Sequence, residues 1–201
     1  MFDNDTIAAI STAPGQGGIG IVRMSGDNSV KILRDIFILP SGLKVNSFRD
    51  RYFYYGKIAK EDKEIIDEVL TVVMRGPKSY TKEDIVEIHC HGGMISVRRI
   101  LELVIESGAR LSEPGEFTKR AFLNGRLDLA QAEAVADIIL SKSQEAQRAS
   151  ISQLEGKLSI EIENIATMLL DLIVQIEASI DYPEEDLDDV SPEDIIEGLD
   201  L

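Results

Sequence analysis

The sequence predicts an α+β N-terminal domain followed by long α-helices of a second, helical domain. Up to about residue 118, apolar-polar alternation typical of strands is interspersed with helical periodicity. After Asp128 the strand signal almost disappears, and apolar residues recur every three or four positions. These observations predict an α+β domain over residues 1–118 and a partial helical domain over residues 119–201 that ends in an acidic linker.

The first element is a strand expected over residues 6–12, which alternate weakly, and a glycine-rich turn and a second strand follow it. Residues 15–20 read GQGGIG and match the GxGxxG pattern of dinucleotide-binding folds, but that pattern must open a helix. Residues 19–25 instead alternate in the manner of a strand, so the dinucleotide interpretation fails. Arg23 lies on the strand face opposite Val22 and Met24. It is either a surface arginine or a planar, permanently charged donor for a carboxylate or a heterocycle.

The elements between the candidate site residues follow from periodicity and from turn residues. Helices with apolar residues at helical spacing are predicted over residues 28–37 and 94–106. A hairpin is predicted from strands at residues 52–55 and 69–74, and a further short strand is predicted at residues 109–112. We interpret the hairpin as scaffold.

The strand predicted over residues 85–91 carries a polar face. Period two places Glu87, His89 and His91 on one side, and the apolar residues and Cys90 on the other. A zinc site would need both outer side chains on one ion, yet they lie roughly 13 Å apart on an extended strand. Cys90 is expected to be a small buried hydrophobe rather than a nucleophile. Glu87 is either a solvated or salt-bridged glutamate or an acceptor for a pair of ligand N–H groups.

The segment 114–139 is predicted to form two helices joined by a bend. A proline suits the first turn of a short helix, and Asn124-Gly125 ends that helix because both residues tolerate a left-handed backbone. Asp128 and Gln131 have the spacing of a capping box, which starts the next helix. Arg126 lies on the bend, where it is either a solvated loop charge or a functional cation.

Two helices are predicted in the second domain. The first runs from Asp128 to about Leu140, and the second runs without a break from about Gln144 to Ile180. The second helix would be roughly 55 Å long, and it carries a sustained apolar stripe. Two helices cannot bury that stripe by themselves, so we expect partner helices from another subunit or from a further C-terminal part.

Composition and charge limit what the chain can do alone. Its net charge is −15, from 36 acidic and 21 basic residues, and nine of the acidic residues fall in the segment 184–201. Strong binding to RNA phosphates by this chain alone is therefore not expected. A single cysteine excludes an internal disulfide and suits a reducing cytoplasm. No apolar run is long enough to span a membrane, and the N-terminus does not resemble a signal peptide.

Three stretches carry a resemblance to a known family. They read DNDTIAAISTAPGQGGIGIVRMSG at residues 3–26, GPKSYTKEDIVEIHCHGG at 76–93 and PGEFTKRAFLNGRLDLAQAEAVADII at 114–139. In this order they resemble the N-terminal region of the MnmE (TrmE) family, the GTPases that modify the wobble uridine of tRNA. Together with the helices that follow, the resemblance covers essentially the whole chain.

The resemblance implies a fold, a cofactor and three contact residues. The N-terminal domain of the family resembles the tetrahydrofolate-binding domain of the glycine-cleavage T-protein, binds 5-formyltetrahydrofolate and forms a constitutive homodimer. Matched motif by motif, its folate contacts fall on Arg23, Glu87 and Arg126, although other members can have lysine at the last position. The intact protein would act in the cytoplasm, where the folate supplies a one-carbon unit for 5-carboxymethylaminomethyluridine in tRNA. The flavin-dependent MnmG protein would be its partner.

The GTPase domain of the family is not expected in this sequence. No GxxxxGK[ST] motif occurs, because Gly56-Lys57 and Gly156-Lys157 both lack the following hydroxyl residue and the upstream glycine. GTP, magnesium and potassium would bind only in that missing domain, so we expect a truncated piece that does not hydrolyse GTP alone. The alternatives are a purely structural dimerisation module without a ligand, or a zinc enzyme built on the 85–91 strand.

Overall fold

A computed structural model describes residues 5–181, and the predicted acidic linker lies outside these described residues. The described chain divides into two compact units between Leu127 and Asp128. The boundary predicted between residues 118 and 119 falls instead inside a helix, Glu116–Leu123, of the first unit. That helix is tied to the rest of the first unit by ion pairs between residues far apart in the sequence, which local patterns do not reveal.

A seven-stranded sheet forms the framework of the first unit. In chain order its strands are β1 (Ile7–Ile10), β2 (Ile19–Ser25), β3 (Phe37–Ile38), β4 (Tyr54–Ala59), β5 (Ile65–Met74), β6 (Ile85–His91) and β7 (Arg110–Leu111). Across the sheet the order is β3-β4-β5-β6-β2-β1-β7. Neighbouring strands are antiparallel except β1 and β7, which run parallel. The middle of the sheet is therefore β6, with β5 and β2 on either side.

Two helices cover one face of this sheet. Both α1 (Ser29–Ile36) and α2 (Met94–Glu106) contact β6 and each other. The side chains of β2 and β6 in this core are fully buried: Val22, Met24, Val86 and Ile88. Each such burial contributes about 1.5–3 kcal/mol relative to an exposed side chain. The helix predicted over residues 94–106 is confirmed at both ends.

The opposite face of β6 carries the polar side chains. Glu87 and His89 are half-buried and His91 is exposed, whereas Cys90 and its apolar neighbours on the helix side are buried. The alternation predicted for this strand is therefore confirmed.

The hairpin of β4 and β5 is longer than predicted. The apolar pattern indicates strands only at residues 52–55 and 69–74, yet β4 continues to Ala59 and β5 begins at Ile65. Part of the added length is charged, with the Lys57 ammonium 3.6 Å from the carboxylate of its cross-strand partner Glu68. Opposite charges stabilise paired strands without producing an apolar pattern.

The predicted bend before the second unit is confirmed. After α3 (Glu116–Leu123) comes Gly125 with a φ of 68°, in the left-handed region that glycine adopts without strain. In the second unit, α4 (Leu129–Leu140) starts with the predicted capping box. The Gln131 N–H donates to Asp128 Oδ1 at 2.8 Å, and the Asp128 N–H donates to Gln131 Oε1 at 3.0 Å.

The prediction of one unbroken helix over residues 144–180 is wrong. The chain forms α5 (Gln144–Leu154) and α6 (Lys157–Asp181), separated at Gly156. This glycine has a φ of 82°, which ends a helix in the usual left-handed manner. Apolar residues keep their helical spacing across the break, so periodicity alone did not reveal it.

The apolar stripe of α6 is open to solvent within the described residues. Its members Leu158, Ile162, Ile165 and Leu169 expose 43–57% of their surface. The expectation that partner helices cover this stripe stays a prediction. Over residues 5–181, none of the helices combines the length and apolar character needed to cross a lipid bilayer.

Candidate functional site

Two of the three predicted site residues face each other on adjacent strands. Arg23 on β2 and Glu87 on β6 are direct cross-strand partners. The Arg23 Nε donates a hydrogen bond to Glu87 Oε1 at 2.9 Å, and Nη2 lies 2.7 Å from the same oxygen. The two side chains keep relative exposures of 31% and 15%, so the pair can be reached from solvent.

The second oxygen of the Glu87 carboxylate has its own partner. The His89 Nε2 lies 3.0 Å from Glu87 Oε2, and the His89 and Phe53 rings pack in a T-shaped arrangement at a centroid distance of 5.4 Å. Burial alone would raise the pKa of Glu87, but hydrogen bonds from His89 and Arg23 outweigh burial and hold this pKa below its usual value. The carboxylate is therefore ionised at neutral pH and accepts hydrogen bonds.

Arg126 lies on the bend after α3 and is linked to the same region through that helix. Its guanidinium carbon is 4.6 Å from the centre of the Tyr80 ring, a cation–π contact. The hydroxyls of Tyr80 and Thr118 are hydrogen-bonded at 2.9 Å. The preceding residue, Phe117, lies with its ring centre 5.9 Å from the guanidinium carbon of Arg23. Of two consecutive residues of α3, one thus contacts Arg23 and the other contacts Tyr80, the ring partner of Arg126.

A network of charged side chains, which the sequence analysis missed, fixes α3. The Arg120 Nη2 lies 2.5 Å from Asp5 Oδ1, and its Nη1 lies 3.2 Å from Glu83 Oε1. Glu83 Oε2 also accepts a hydrogen bond from the Ser25 hydroxyl at 2.7 Å. These partners are 115 and 37 residues from Arg120 in the chain, so no local pattern indicates the pairing. The one local signal is the i,i+4 spacing of Glu116 and Arg120 on α3.

The two histidines of β6 have different partners. His91 Nδ1 lies 2.6 Å from Asp67 Oδ1, whereas His89 is bonded to Glu87. The hydrogen bond with Asp67 raises the pKa of His91. In the part of the chain that the structure describes, no three ligand-type side chains are grouped to hold a metal ion. The zinc alternative therefore has no ligand set there.

Cys90 is buried among the apolar residues, as predicted. Only 4% of its surface is exposed, and its thiol donates to the Gly20 carbonyl at 3.3 Å. Burial raises the pKa of this thiol to about 11, so it stays protonated at neutral pH. Nucleophilic catalysis by Cys90 is disfavoured.

The glycine-rich turn lines a separate, mainly apolar cavity of about 420 Å³ beside the start of α2. The turn leads into a strand rather than a helix, as predicted. Gly92 approaches the turn so closely that a side chain there would overlap the Gly17 carbonyl oxygen. These glycines therefore permit close backbone contact. The residues that line the cavity do not include Arg23, Glu87 or Arg126.

The division into a sheet unit and a helical unit matches two family models. The model described as "GTP-binding protein TrmE N-terminus" covers residues 6–126, and the one described as "MnmE helical domain" covers residues 129–201. The sheet unit is therefore of the class found at the N-terminus of TrmE-type GTP-binding proteins. The chain belongs to the MnmE (TrmE) family, which confirms the family predicted from the three motifs.

Known proteins of this family are similar in sequence to essentially the whole chain. The tRNA modification GTPase MnmE of Clostridioides difficile is 50% identical over 200 residues, which cover 100% of this chain and 43% of the relative. The protein of the same name from Acetivibrio thermocellus is 52% identical over 99% of this chain and 43% of its own length. That from Geobacillus kaustophilus is 48% identical over 96% of this chain and 42% of its own length. The chain thus spans less than half the length of these relatives.

Proposed function

We propose that this chain is the folate-binding, dimerising part of a tRNA modification GTPase. The observation that supports it most is the cross-strand pair of Arg23 and Glu87, linked through α3 to the cation of Arg126. The relatives that share about half of its residues are called tRNA modification GTPases. The likeness of the sheet unit to the folate-binding domain of the glycine-cleavage T-protein belongs to the same proposal.

The chemistry of these side chains suits a reduced folate such as 5-formyltetrahydrofolate. A pterin presents neighbouring N–H donors, and an ionised carboxylate can accept both of them. Glu87 is held ionised, and apolar surface is supplied by the Phe53 ring, which packs against His89, and by the Phe117 ring, which lies against Arg23. Arg126 offers a guanidinium for the acidic glutamyl end of the cofactor.

In the intact protein, the bound folate would supply a one-carbon unit for the modification of the wobble uridine in tRNA. The chain's own residues would hold and orient the cofactor rather than act as catalysts. We propose MnmG as the partner, the cytoplasm as the location, and a GTPase domain outside this sequence as the site of GTP, magnesium and potassium.

A structural dimerisation module without a ligand is the second candidate. Tyr55 and Leu70 are cross-strand partners, as are Leu70 and His89, so these side chains form a row on the face that carries Glu87. Tyr55 and Leu70 expose 52% and 44% of their surface. Such a row suits contact with a second copy of the chain.

Calorimetric titration of 5-formyltetrahydrofolate separates the two candidates. We expect the wild-type chain to bind. We expect Glu87→Gln to weaken binding about 10-fold or more, because the NH₂ group of glutamine replaces an acceptor oxygen and leaves a pterin N–H donor without an acceptor. Glu68→Gln is the matched control, since Glu68 is an exposed glutamate of the same sheet. A dimer in sedimentation experiments that gives no heat with folate would contradict folate binding and favour the scaffold.

A further inference from the structure

A second cation lies at the bend that carries Arg126. The Lys82 Nζ donates a hydrogen bond to the Gly125 carbonyl at 2.9 Å, and that carbonyl belongs to the peptide bond that leads into Arg126. The same loop supplies Tyr80, whose ring lies under the Arg126 guanidinium. One loop therefore contacts the bend through both Lys82 and Tyr80, and Lys82 and Arg126 are both exposed.

Both cations lack a carboxylate partner among the described residues. Arg120, which is partly buried, contacts three carboxylates, and Arg23 contacts that of Glu87. Lys82 donates only to a neutral carbonyl, and Arg126 contacts only an aromatic ring. The chain has a net charge of −15, and these two cations contact the same bend, where they form a local positive patch. Its field attracts an anion that carries more than one charge.

Lys82 has a left-handed backbone conformation. Its φ of 62° lies in the left-handed region, where an L side chain is strained and glycine is not. A lysine therefore occupies a position at which the backbone conformation favours glycine. The side chain contributes its charge at the bend in spite of that strain.

We infer that Lys82 and Arg126 together form a binding site for a chain of carboxylates, so that the protein prefers pteroylpolyglutamates to the monoglutamate. This inference rests on the proposed folate function, because Arg126 is one of the proposed folate contacts. The monoglutamate already has two carboxylates, and each additional γ-linked glutamate adds one more, so a second cation at the bend favours the longer chains. Because both cations are exposed, the gain is moderate and is screened by salt.

The test compares the dissociation constants of 5-formyltetrahydrofolate monoglutamate and triglutamate. For the wild-type chain we expect the triglutamate to bind about 5- to 10-fold more tightly in low salt, and the preference to shrink in 0.5 M salt, where the Debye length falls to roughly 4 Å. We expect Lys82→Gly to remove the preference, with a larger loss of affinity for the triglutamate than for the monoglutamate, because the pterin contacts are kept. Lys82→Arg retains it, since the charge is kept.

A matched control is available in the same sheet unit. Lys63 lies in the turn between β4 and β5 and also has a left-handed backbone, with a φ of 69°. Lys63→Gly therefore removes the same charge and the same strain at another loop, and we expect it to keep the preference. Lys82→Gly suits its backbone conformation, so we expect an unchanged or higher melting temperature. Equal loss of the preference in both variants would overturn the inference.

A pterin-free probe distinguishes failure of this inference from failure of the proposed function. Tri-γ-glutamate is added to the 15N-labelled chain, and the amide signals of Gly125 and Arg126 are followed. If folate does not bind but these signals shift in the wild type and not in Lys82→Gly, the folate proposal fails and the carboxylate site stands. If the wild type shows no preference for the triglutamate, or if Lys82→Gly retains it in full, the carboxylate site is wrong.

Discussion

Glu87 is the residue on which the proposed site depends. One of its oxygens contacts Arg23 and the other contacts His89, so its carboxylate is fixed in place and held ionised. A carboxylate has further lone pairs beyond those two contacts, and these remain available for ligand N–H groups. The same contacts make Glu87 a contributor to folding stability that depends on pH.

The pKa of Glu87 is lower in the folded chain than its ordinary value of 4.5. Its contribution to the free energy of unfolding is therefore fully present above about pH 4.5 and is lost as pH falls through the lower, folded-state pKa. We expect the free energy of unfolding of the wild type to fall more steeply than that of Glu87→Gln between about pH 5 and pH 3.

Urea denaturation at several pH values measures this difference. Comparing the two proteins cancels the effect of the other carboxylates whose pKa values are lowered, including those of Asp5, Glu116 and Asp128. Parallel curves for the two proteins would mean that Arg23 and His89 do not stabilise the Glu87 carboxylate in the folded state.

At the scale of elements, the position of α3 decides whether the parts of the site stay together. Its residues Phe117 and Thr118 contact Arg23 and Tyr80, and Arg120 fixes the helix to Asp5 and Glu83. Removing one partner from an ion-pair network that is mostly shielded from solvent lowers the free energy of unfolding more than removing one partner of an exposed pair. Arg120 should therefore matter more for stability than any exposed arginine.

We expect Arg120→Met to lower the free energy of unfolding by about 2–3 kcal/mol, because the carboxylates of Asp5, Glu83 and Glu116 lose a cation that they share. The side chain of Arg120 is only 12% exposed, which limits screening by water. The control is Arg51→Met, which removes an exposed pair with Asp50 and should cost less than about 1 kcal/mol. Chemical denaturation followed by circular dichroism gives both values, and equal losses would contradict a structural role for the Arg120 network.

Elements with a local signal could be predicted, and those that depend on distant partners could not. The bounds of α2 and the capping box of α4 follow from residues a few positions apart, and both are confirmed. The alternation of β6, which places Glu87 on the polar face, is also local. The break at Gly156 was missed because apolar spacing continues through it.

The candidate site was predicted residue by residue but not as an arrangement. The resemblance supplied Arg23, Glu87 and Arg126, and only the antiparallel register of β2 and β6 shows that the first two are direct partners. The cation–π contact between Arg126 and Tyr80 joins two loops that no sequence pattern relates. Contacts of this kind depend on the path of the chain in space.

At the scale of the whole molecule, the two units differ in how completely they bury their apolar side chains. The sheet unit encloses a core in which residues such as Leu33, Ile58 and Ile100 are inaccessible to solvent. In the second unit, α6 leaves its apolar stripe exposed within the described residues. An exposed apolar stripe of this kind suits contact with partner helices or with a second copy of the chain.

The most direct test of the proposed function is a crystal structure of this chain with 5-formyltetrahydrofolate at saturating concentration. We predict that the pterin N–H groups lie within hydrogen-bond distance of the Glu87 carboxylate and that a glutamyl carboxylate lies near Arg126. A pterin bound elsewhere, or an Arg23–Glu87 pair that saturating ligand does not approach, would contradict the folate site proposed for this protein.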